Sequence, residues 1–357
     1  TQESRIIWGN GSAGEWLGLV GDGIRKSSIA QLFAADDFII FSSYLQNVQR
    51  QDSGRKDCQI STFVAGKKRE VLWSFKPFKA VSDRRGLIIL VTAQDITDAL
   101  QSKMKATKME AELETAKLIQ NAFFPPVLIQ NDRLSIASYY RPADQCSGDW
   151  WGYFDLGHGI DLLIIADVTG HGAAAALVTA VTQTSCRIFA ETYFQKSGVL
   201  PSRLLHDLNR GIIETFKGRM HMTALALVID RKTNRITFSN AAHIPPLMLR
   251  QEKDGHRKLT SLVALGNLVG SSLDSVFEDG VVEALAGDRF ILYSDGITEA
   301  RNPKDRMFGP GNLRRSALAH ADLELTLFRD RLIEDAFRYY DGRPIEDDFT
   351  LVTFDLL

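Results

Sequence analysis

The sequence predicts a mixed α+β protein in which antiparallel sheets and helices form separate layers. Two observations carry this prediction: strand candidates dominate the chain after residue 126, and the helical stretches among them come in clusters instead of following every strand. A third is a helical stretch at 99–124 that separates this region from the first 98 residues. We therefore expect a domain at 1–98, a linker helix at 99–124 and a second domain at 125–357.

The first 98 residues alternate short strand and helix candidates with turn signals. A strand is predicted at 5–8, a turn at 9–14 and a short helix at 30–37, followed by a pair of longer strands at 68–75 and 86–91. The glycines at 9, 11 and 14 also match the GxGxxG pattern of dinucleotide-binding sites. We reject that interpretation, because such a site needs a second buried parallel strand where 30–37 is predicted to be helical.

The linker at 99–124 contains neither Gly nor Pro and is rich in strong helix formers. Pro125 and Pro126 end the predicted helix, because proline lacks the N–H that would continue it. Its heptad seam consists of Ala106, Met109, Leu113, Ala116, Gln120 and Phe123. Two interpretations stay open: an amphipathic helix that packs on its own domain, and a short coiled coil that joins two protomers.

The second domain is predicted to contain strands and helices in clusters. The strands are expected at 134–140, 161–167, 224–230, 235–240, 246–249, 290–294 and 349–356, and the helices at 173–193, 202–217 and 311–318. Several of these strands begin or end at an acidic residue, which is where the chemistry of this chain is expected.

Acidic residues mark the ends of several predicted strands. Asp167 and Asp295 each follow an apolar strand and precede a turn with Gly, Asp149 follows the strand at 134–140, and the pair Asp347 and Asp348 precedes the last strand. A turn-forming Asp is the ordinary alternative for those beside Gly. Because the end of one strand lies beside the start of its antiparallel neighbour, these acids can meet at one rim.

Several carboxylates at one rim raise one another's pKa unless cations bind between them. Ligands that are all oxygen atoms favour Mg²⁺ or Mn²⁺ over Zn²⁺. Two such ions can activate a water molecule and bind a phosphoryl oxygen, so the acids predict hydrolysis of a phosphate ester.

Five motifs of this chain resemble, in order and spacing, the metal-dependent protein phosphatase (PPM) family in its bacterial branch, the sporulation stage II protein E type. The motifs are Asp149 in SGDWW, Asp167 in DVTGHG, the stretch NAAHIPP at 240–246, Asp295 in LYSDGITEARN and Asp347 in EDDFT. The resemblance covers about residues 112–357. It implies an α-β-β-α sandwich, two Mn²⁺ or Mg²⁺ ions, and hydrolysis of phosphoserine or phosphothreonine on a protein.

The resemblance also implies a catalytic and metal-binding set. Asp149 and Asp167 would bridge the two ions, the carbonyl oxygen of Val168 would be a backbone ligand, and Asp295 and Asp347 would complete the ligands of the second ion. These four Asp residues are the expected catalytic residues.

Three further residues are assigned a phosphate-binding or supporting role. Asp348 is the alternative to Asp347, because the two acids are adjacent. Arg141 precedes Asp149 and could bind a substrate phosphate with two parallel hydrogen bonds, although a surface ion pair is an equal alternative. His171 lies four residues after Asp167, whereas the His of animal relatives lies two after it, so we expect a supporting role for it.

Residues 1–98 resemble a PAS sensor domain. The resemblance rests on RIIWGN at 5–10, WLG at 16–18, LF at 32–33 and the closing DITD at 95–98. It implies a domain that senses a signal or pairs protomers, and hence a homodimer. A flavin adduct is not supported, because no cysteine has the sequence context of a flavin photosensor, and a His-ligated haem is not supported, because no His precedes His158.

Composition limits the partners and the compartment. A net charge of −2 gives no reason to expect nucleic acid as a partner. Three widely spaced cysteines suit a reducing compartment, and no apolar run approaches the roughly 20 residues of a membrane span. We expect a cytoplasmic protein, or the cytoplasmic part of a longer membrane-anchored one. Its partner would be a phosphorylated protein, for which the resemblance suggests an anti-sigma-factor antagonist.

The main alternative function is a catalytically silent regulator that uses the phosphatase fold only to bind a signalling partner. Such proteins lose metal-binding acids, whereas Asp149, Asp167, Asp295 and Asp347 are all present. A sensor kinase is not supported, because no phosphoacceptor helix or glycine motif of an ATP lid follows residue 98.

Overall fold

The computed structural model describes residues 6, 8–17, 28–50, 55–64, 66–79, 87–132, 134–170 and 172–357. The chain divides into two compact units, Thr1–Glu110 and Ala111–Leu357, which are described separately. Both combine helices with antiparallel sheets, as the α+β prediction requires.

The first unit is a three-stranded antiparallel sheet with helices. Strands β1 (Lys56–Val64), β2 (Lys67–Lys79) and β3 (Leu87–Asp95) follow one another in the sheet. Helices α1 (Gly11–Leu17) and α2 (Ala35–Arg50) precede them, with a 3₁₀ turn at Ile29–Leu32. Aromatic side chains of α2 and the sheet form the core, among them Phe41, Trp73 and Phe75. The arrangement is compatible with a sensor domain.

The predictions for this unit are confirmed in part. Strands at 68–75 and 86–91 pair antiparallel as β2 and β3, with Phe75 opposite Val91. The turn expected at 9–14 is wrong from residue 11 onward, because α1 begins at Gly11. The helix expected at 30–37 is a 3₁₀ turn followed by the longer α2, and β1 was not predicted. Arg5 and Ile7 of the strand expected at 5–8 lie outside the described residues, and Trp8 is not in a strand.

The linker forms helix α3, Thr97–Asn121. Thr97 begins it, and the Asp95 carboxylate accepts a hydrogen bond from the Thr97 backbone N–H at 2.9 Å. Residues 101–112 are exposed along every face, whereas Leu113 and Ala116 are half-buried and Gln120 is buried. The C-terminal part of the seam therefore packs within its own unit, and the N-terminal part, including Ala106 and Met109, stays exposed.

The second unit consists of two antiparallel sheets packed face to face between two helical layers, which confirms the predicted α-β-β-α sandwich. The six-stranded sheet has the order β11-β10-β13-β14-β5-β4 and the five-stranded sheet the order β12-β9-β8-β7-β6. The strands are β4 (Leu128–Gln130), β5 (Leu134–Arg141), β6 (Asp149–Asp155), β7 (Ile160–Val168), β8 (Met222–Asp230), β9 (Arg235–Ala241), β10 (Leu247–Gln251), β11 (Arg257–Ser261), β12 (Asp279–Glu283), β13 (Arg289–Tyr293) and β14 (Phe349–Leu356).

Alternation along the strands divides the core into layers. In β7, Leu163 and Ile165 face the other sheet, whereas Ile164 and Ala166 face helices α4 (Ala173–Thr192) and α5 (Pro201–Phe216). Helices α6 (Asp295–Glu299), α7 (Gly309–Ala319) and α8 (Leu325–Tyr340) cover the outer side of the six-stranded sheet.

Helix α4 is long and apolar enough, by length and composition alone, to cross a membrane. The sequence was not expected to contain such a stretch. Core helices of globular proteins meet the same test, and the side chains of α4 buried here include Val178, Cys186 and Phe189.

Candidate functional site

Two of the predicted acids stand opposite each other in the five-stranded sheet. Asp149 is the first residue of β6, and its antiparallel partner in register is Asp167, near the end of β7. Residues directly opposite in an antiparallel pair project to the same face. Asp149 is buried, with 1% of its surface exposed, and Asp167 is half-buried. The pairing of β6 with β7 therefore fixes two carboxylates side by side.

The other acids lie at the end of the neighbouring sheet. Asp295 begins α6 directly after β13, and Asp347 and Asp348 precede β14, which pairs with β13. The Ser294 backbone N–H donates to the Thr350 carbonyl, and the Ser294 hydroxyl donates to the Asp348 carbonyl at 3.1 Å. These bonds hold the start of β14 against the start of α6.

Gly296 allows this close approach. A Cβ atom on this residue would lie 2.1 Å from the carbonyl oxygen of Asp348. The glycine that follows Asp295 is thus required, because the segment that carries Asp347 packs directly against its backbone.

Asp348 joins the two sheets. Its carboxylate accepts hydrogen bonds from the backbone N–H groups of Ala143 (2.8 Å), Gly148 (2.7 Å) and Asp149 (3.4 Å). Both of its oxygens are used in this way, whereas hydrogen bonding to Asp347 involves one oxygen, which accepts from the Asp348 backbone N–H. Of the adjacent pair, Asp348 thus orients the loop before Asp149, whereas one Asp347 oxygen accepts no hydrogen bond from the described residues.

The acids act on one another electrostatically. Burial and the Asp167 charge raise the pKa of Asp149 well above its ordinary value, although the nearby hydroxyls of Ser294 and Thr350 oppose the change. Burial, then the charges of Asp295 and Asp347, raises the pKa of Asp167 to about 7. Burial and Asp347 also raise the pKa of Asp295. The structure therefore brings the predicted acids into one electrostatically coupled group.

The donor set fits a hard cation. Oδ2 of Asp149 is buried and has no hydrogen-bond partner among the described residues, which is costly unless a ligand satisfies it. Within those residues no three Asp, Glu, His or Cys side chains form a ready-made site for one ion. Mg²⁺ is commonly bound by one or two carboxylates together with water, so pairs of acids beside backbone carbonyls suit it.

Val168 follows Asp167 and lies against the loop of Asp149. Its backbone N–H donates to the Gly148 carbonyl at 3.1 Å, so the turn after β7 is bonded to the segment before β6. Its assignment as a backbone ligand stays a prediction. His171, in the same turn, lies outside the described residues.

Arg141 ends β5, and its guanidinium carbon lies 5.3 Å from the centre of the Phe337 ring in α8. This is a cation–π contact. A phosphate-binding role for Arg141 stays a prediction.

His243, in the NAAHIPP stretch, supports the sheet behind Asp167. Its Nδ1 lies 2.8 Å from the hydroxyl of Thr223, whose partner in register on β7 is Asp167. Its backbone N–H donates to the Asn240 side chain, which donates back to the His243 carbonyl. Burial lowers the pKa of His243 to about 4, which favours the neutral imidazole at pH 7.

Sequence reasoning missed two residues of this region. The buried Gln120 side chain donates to the Ser147 carbonyl (2.7 Å) and accepts from the Ser147 N–H (3.1 Å), two residues before Asp149. Its position as the one polar residue in an apolar seam was the available signal. Glu299 contributes to the raised pKa of both Asp167 and Asp295. It lies four residues after Asp295, on the same face of α6.

Comparisons with known proteins agree with this geometry. The SiaA PP2C domain of Pseudomonas aeruginosa superposes with a TM-score of 0.60 at 20% identity, over 71% of this chain and 99% of that one. The sandwich therefore has the fold of a PP2C domain. The family model of stage II sporulation protein E (SpoIIE) matches residues 161–357, more than half of the chain. The chain belongs to that family.

Two curated relatives come from Bacillus subtilis. Phosphoserine phosphatase RsbP is 32% identical over 196 residues, which are 53% of this chain and 45% of RsbP. Phosphoserine phosphatase RsbU is 26% identical over 245 residues, 69% of this chain and 70% of RsbU. The chain thus spans less than half the length of RsbP.

Proposed function

We propose that this chain is a signal-regulated protein phosphatase that removes phosphate from phosphoserine or phosphothreonine on a partner protein. One arrangement carries the proposal: Asp149 and Asp167 face each other in register beside Asp295 and Asp347, and among the described residues an Asp149 oxygen is buried without a hydrogen-bond partner. The relatives RsbP and RsbU, both phosphoserine phosphatases by name, support the same reaction. The proposed partner is a phosphorylated anti-sigma-factor antagonist, and the proposed compartment is the cytoplasm.

Two Mn²⁺ or Mg²⁺ ions are the proposed cofactors, held by Asp149, Asp167, the Val168 carbonyl, Asp295 and Asp347. When bound, such ions supply the positive charge that activates water and neutralises a phosphoryl group. The protein's own contribution is to hold the carboxylates in place. Asp348 fixes the backbone before Asp149, and the Ser294 hydroxyl fixes the start of β14. Such supporting bonds orient metal ligands and commonly change metal affinity or activity by about 10–100-fold.

Chelation is expected to abolish turnover. With a phosphorylated protein or p-nitrophenyl phosphate as substrate, excess EDTA should reduce the rate to background, and added Mn²⁺ or Mg²⁺ should restore it, because the rim offers oxygen ligands only. Zn²⁺ should restore less. Full turnover after exhaustive chelation would contradict metal dependence. No turnover with any ion, in a protein that still binds Mn²⁺ by calorimetry, would favour the silent regulator instead.

Regulation is proposed to act through the linker helix. The Gln120 amide, in the last turn of α3, is bonded to both main-chain polar groups of Ser147 and to the Thr179 hydroxyl of α4. A displacement of the helix end would therefore reach the loop that carries Asp149. The exposed Ala106 and Met109 would pair with a second copy, so that the PAS-like domain and this helix form a dimer.

Inserting one alanine after Lys105 tests this regulation. One added residue rotates the rest of the helix by about 100° on a 3.6-residue turn, so oligomeric state, basal rate or signal response should change. A seven-residue insertion, which nearly restores the phase, is the control and should behave more like the parent. If both insertions leave all three properties unchanged, measured by light scattering and phosphatase assay, α3 is a passive spacer.

A further inference from the structure

A cationic segment adjoins the acidic rim. Helix α5 ends at Phe216, Lys217 adopts a left-handed conformation, and Arg219 and His221 lead into β8 at Met222. The Thr169 backbone N–H and hydroxyl both donate to the His221 carbonyl, at 3.0 and 3.1 Å. Thr169 lies two residues after Asp167, so these bonds attach the segment to the metal-site turn.

The segment lies at the same end of the five-stranded sheet as Asp167. Met222 and Ala224 of β8 belong to the core between this sheet and its helices. Successive side chains of a strand project to opposite faces, so Thr223 projects away from that core, and its partner in register is Asp167. Arg219 precedes β8 by three residues, in a turn in which its backbone N–H donates to the Phe216 carbonyl at 3.1 Å.

The basic side chains of this segment have no partner among the described residues. In the part of the chain that the structure describes, no hydrogen bond or ion pair involves the side chain of Lys217, Arg219 or His221, and Arg219 is exposed. Two arginines close in sequence to the predicted acids are already engaged: Arg301, six residues after Asp295, and Arg343, four residues before Asp347, both bond to Asp305. Arg219 is therefore available to an external anion.

The negative charge of a phosphate substrate favours a cationic side chain at the rim. Four carboxylates and two divalent ions are together neutral, whereas a phosphate monoester brings close to two negative charges. An arginine can bind two phosphate oxygens through its planar fork of N–H groups.

We propose that Arg219 binds the phosphate group of the substrate at the acidic rim. This inference rests on the proposed function and adds to it a residue outside the sequence-predicted set.

The test measures binding of inorganic phosphate to the Mn²⁺-loaded chain by calorimetry, and phosphate inhibition of p-nitrophenyl phosphate hydrolysis. Arg219→Ala should weaken phosphate binding by about tenfold or more and raise KM in proportion, since one charge-assisted contact is lost. Arg219→Lys should lie between, because lysine keeps the charge and loses the fork. Mn²⁺ affinity should be unchanged.

Arg235→Ala is the matched control. Arg235 is also exposed but begins β9 opposite Asp230, at the far end of the same sheet from Asp167, so its loss should leave phosphate affinity unchanged. An Arg219→Ala variant that binds phosphate as tightly as the wild type would overturn the inference. A larger loss of phosphate affinity in Arg141→Ala than in Arg219→Ala would overturn it as well. If the wild-type chain shows no turnover, the proposed function is contradicted. The role of Arg219 in phosphate binding would still be supported if Arg219→Ala binds phosphate more weakly than that wild-type chain.

Discussion

Asp149→Asn is expected to reduce phosphatase turnover by more than about a hundredfold while the fold survives. The substitution keeps the size of the side chain and removes one of the proposed anionic ligands. This should cost more than the roughly 10–100-fold typical of groups that only support a ligand. A near-normal rate at saturating Mn²⁺ would remove Asp149 from the ligand set.

The same variant should be more stable than the wild type when metal-free. Burial and Asp167 raise the pKa of Asp149, so its ionised form opposes folding. When the pKa of an Asp is higher in the folded than in the unfolded state, the free energy of unfolding is greatest below the unfolded-state pKa, near 4. That stability is lost as the pH rises through the folded-state pKa, which is about 7 for Asp167. Metal-free wild type should therefore melt at a lower temperature at pH 8 than at pH 5.5.

Thermal melts in EDTA measure this effect. Asp149→Asn should raise the melting temperature at pH 8 by about 2–4 °C for each kcal/mol gained, and should weaken the pH dependence. Asp274→Asn, at an exposed position, is the control and should change neither. A lower melting temperature in Asp149→Asn would mean that the carboxylate stabilises the fold even without a cation.

Gly296→Ala is expected to damage both stability and turnover. The new methyl group would lie 2.1 Å from the Asp348 carbonyl oxygen, in main chain that cannot rotate away. Overpacking of this kind typically costs about 1–3 kcal/mol. The displaced segment carries Asp347 and Asp348, so the rate should fall further than stability alone explains.

Gly311→Ala serves as the comparison for this substitution. Gly311 lies in α7, where an added methyl group would meet open space, so alanine should stabilise the helix by about 0.5–1 kcal/mol. Denaturant unfolding and steady-state rates distinguish the two. If Gly296→Ala has the stability and rate of the wild type, the start of α6 can move away from the segment of Asp347 and Asp348 without loss of either property.

Much of the second unit could be predicted because its strands are apolar runs buried on both faces. The strand expected at 161–167 is Ile160–Val168, and that expected at 349–356 is Phe349–Leu356. Strand β6 was missed, because acids at both ends and Gly152 in its middle resemble a turn. The structure explains this glycine: a Cβ there would lie 2.4 Å from the Trp150 ring. Helix α8 was missed as well, because charged and aromatic residues interrupt its apolar pattern.

The acids of the site were recognisable because each carries a local signal, a strand end beside a turn. The long-range contacts that orient these acids carry no such signal. Asp348 bonds to Gly148 across 200 residues, and Gln120 bonds to Ser147 across 27. Such contacts arise only when separate elements meet, so no pattern within one segment predicts them.

The central position of β14 sets the order in which the site can form during synthesis. This strand lies between β13 and β5 in its sheet, and the segment before it supplies Asp347 and Asp348. A nascent chain has made Asp167 some 180 residues earlier (347 − 167). At about 5–20 residues per second, roughly 9–36 s pass before the last acids emerge from the ribosome. During that time the two sheets lack the bonds of Asp348, so the full set of acids assembles only when β14 inserts between its neighbours.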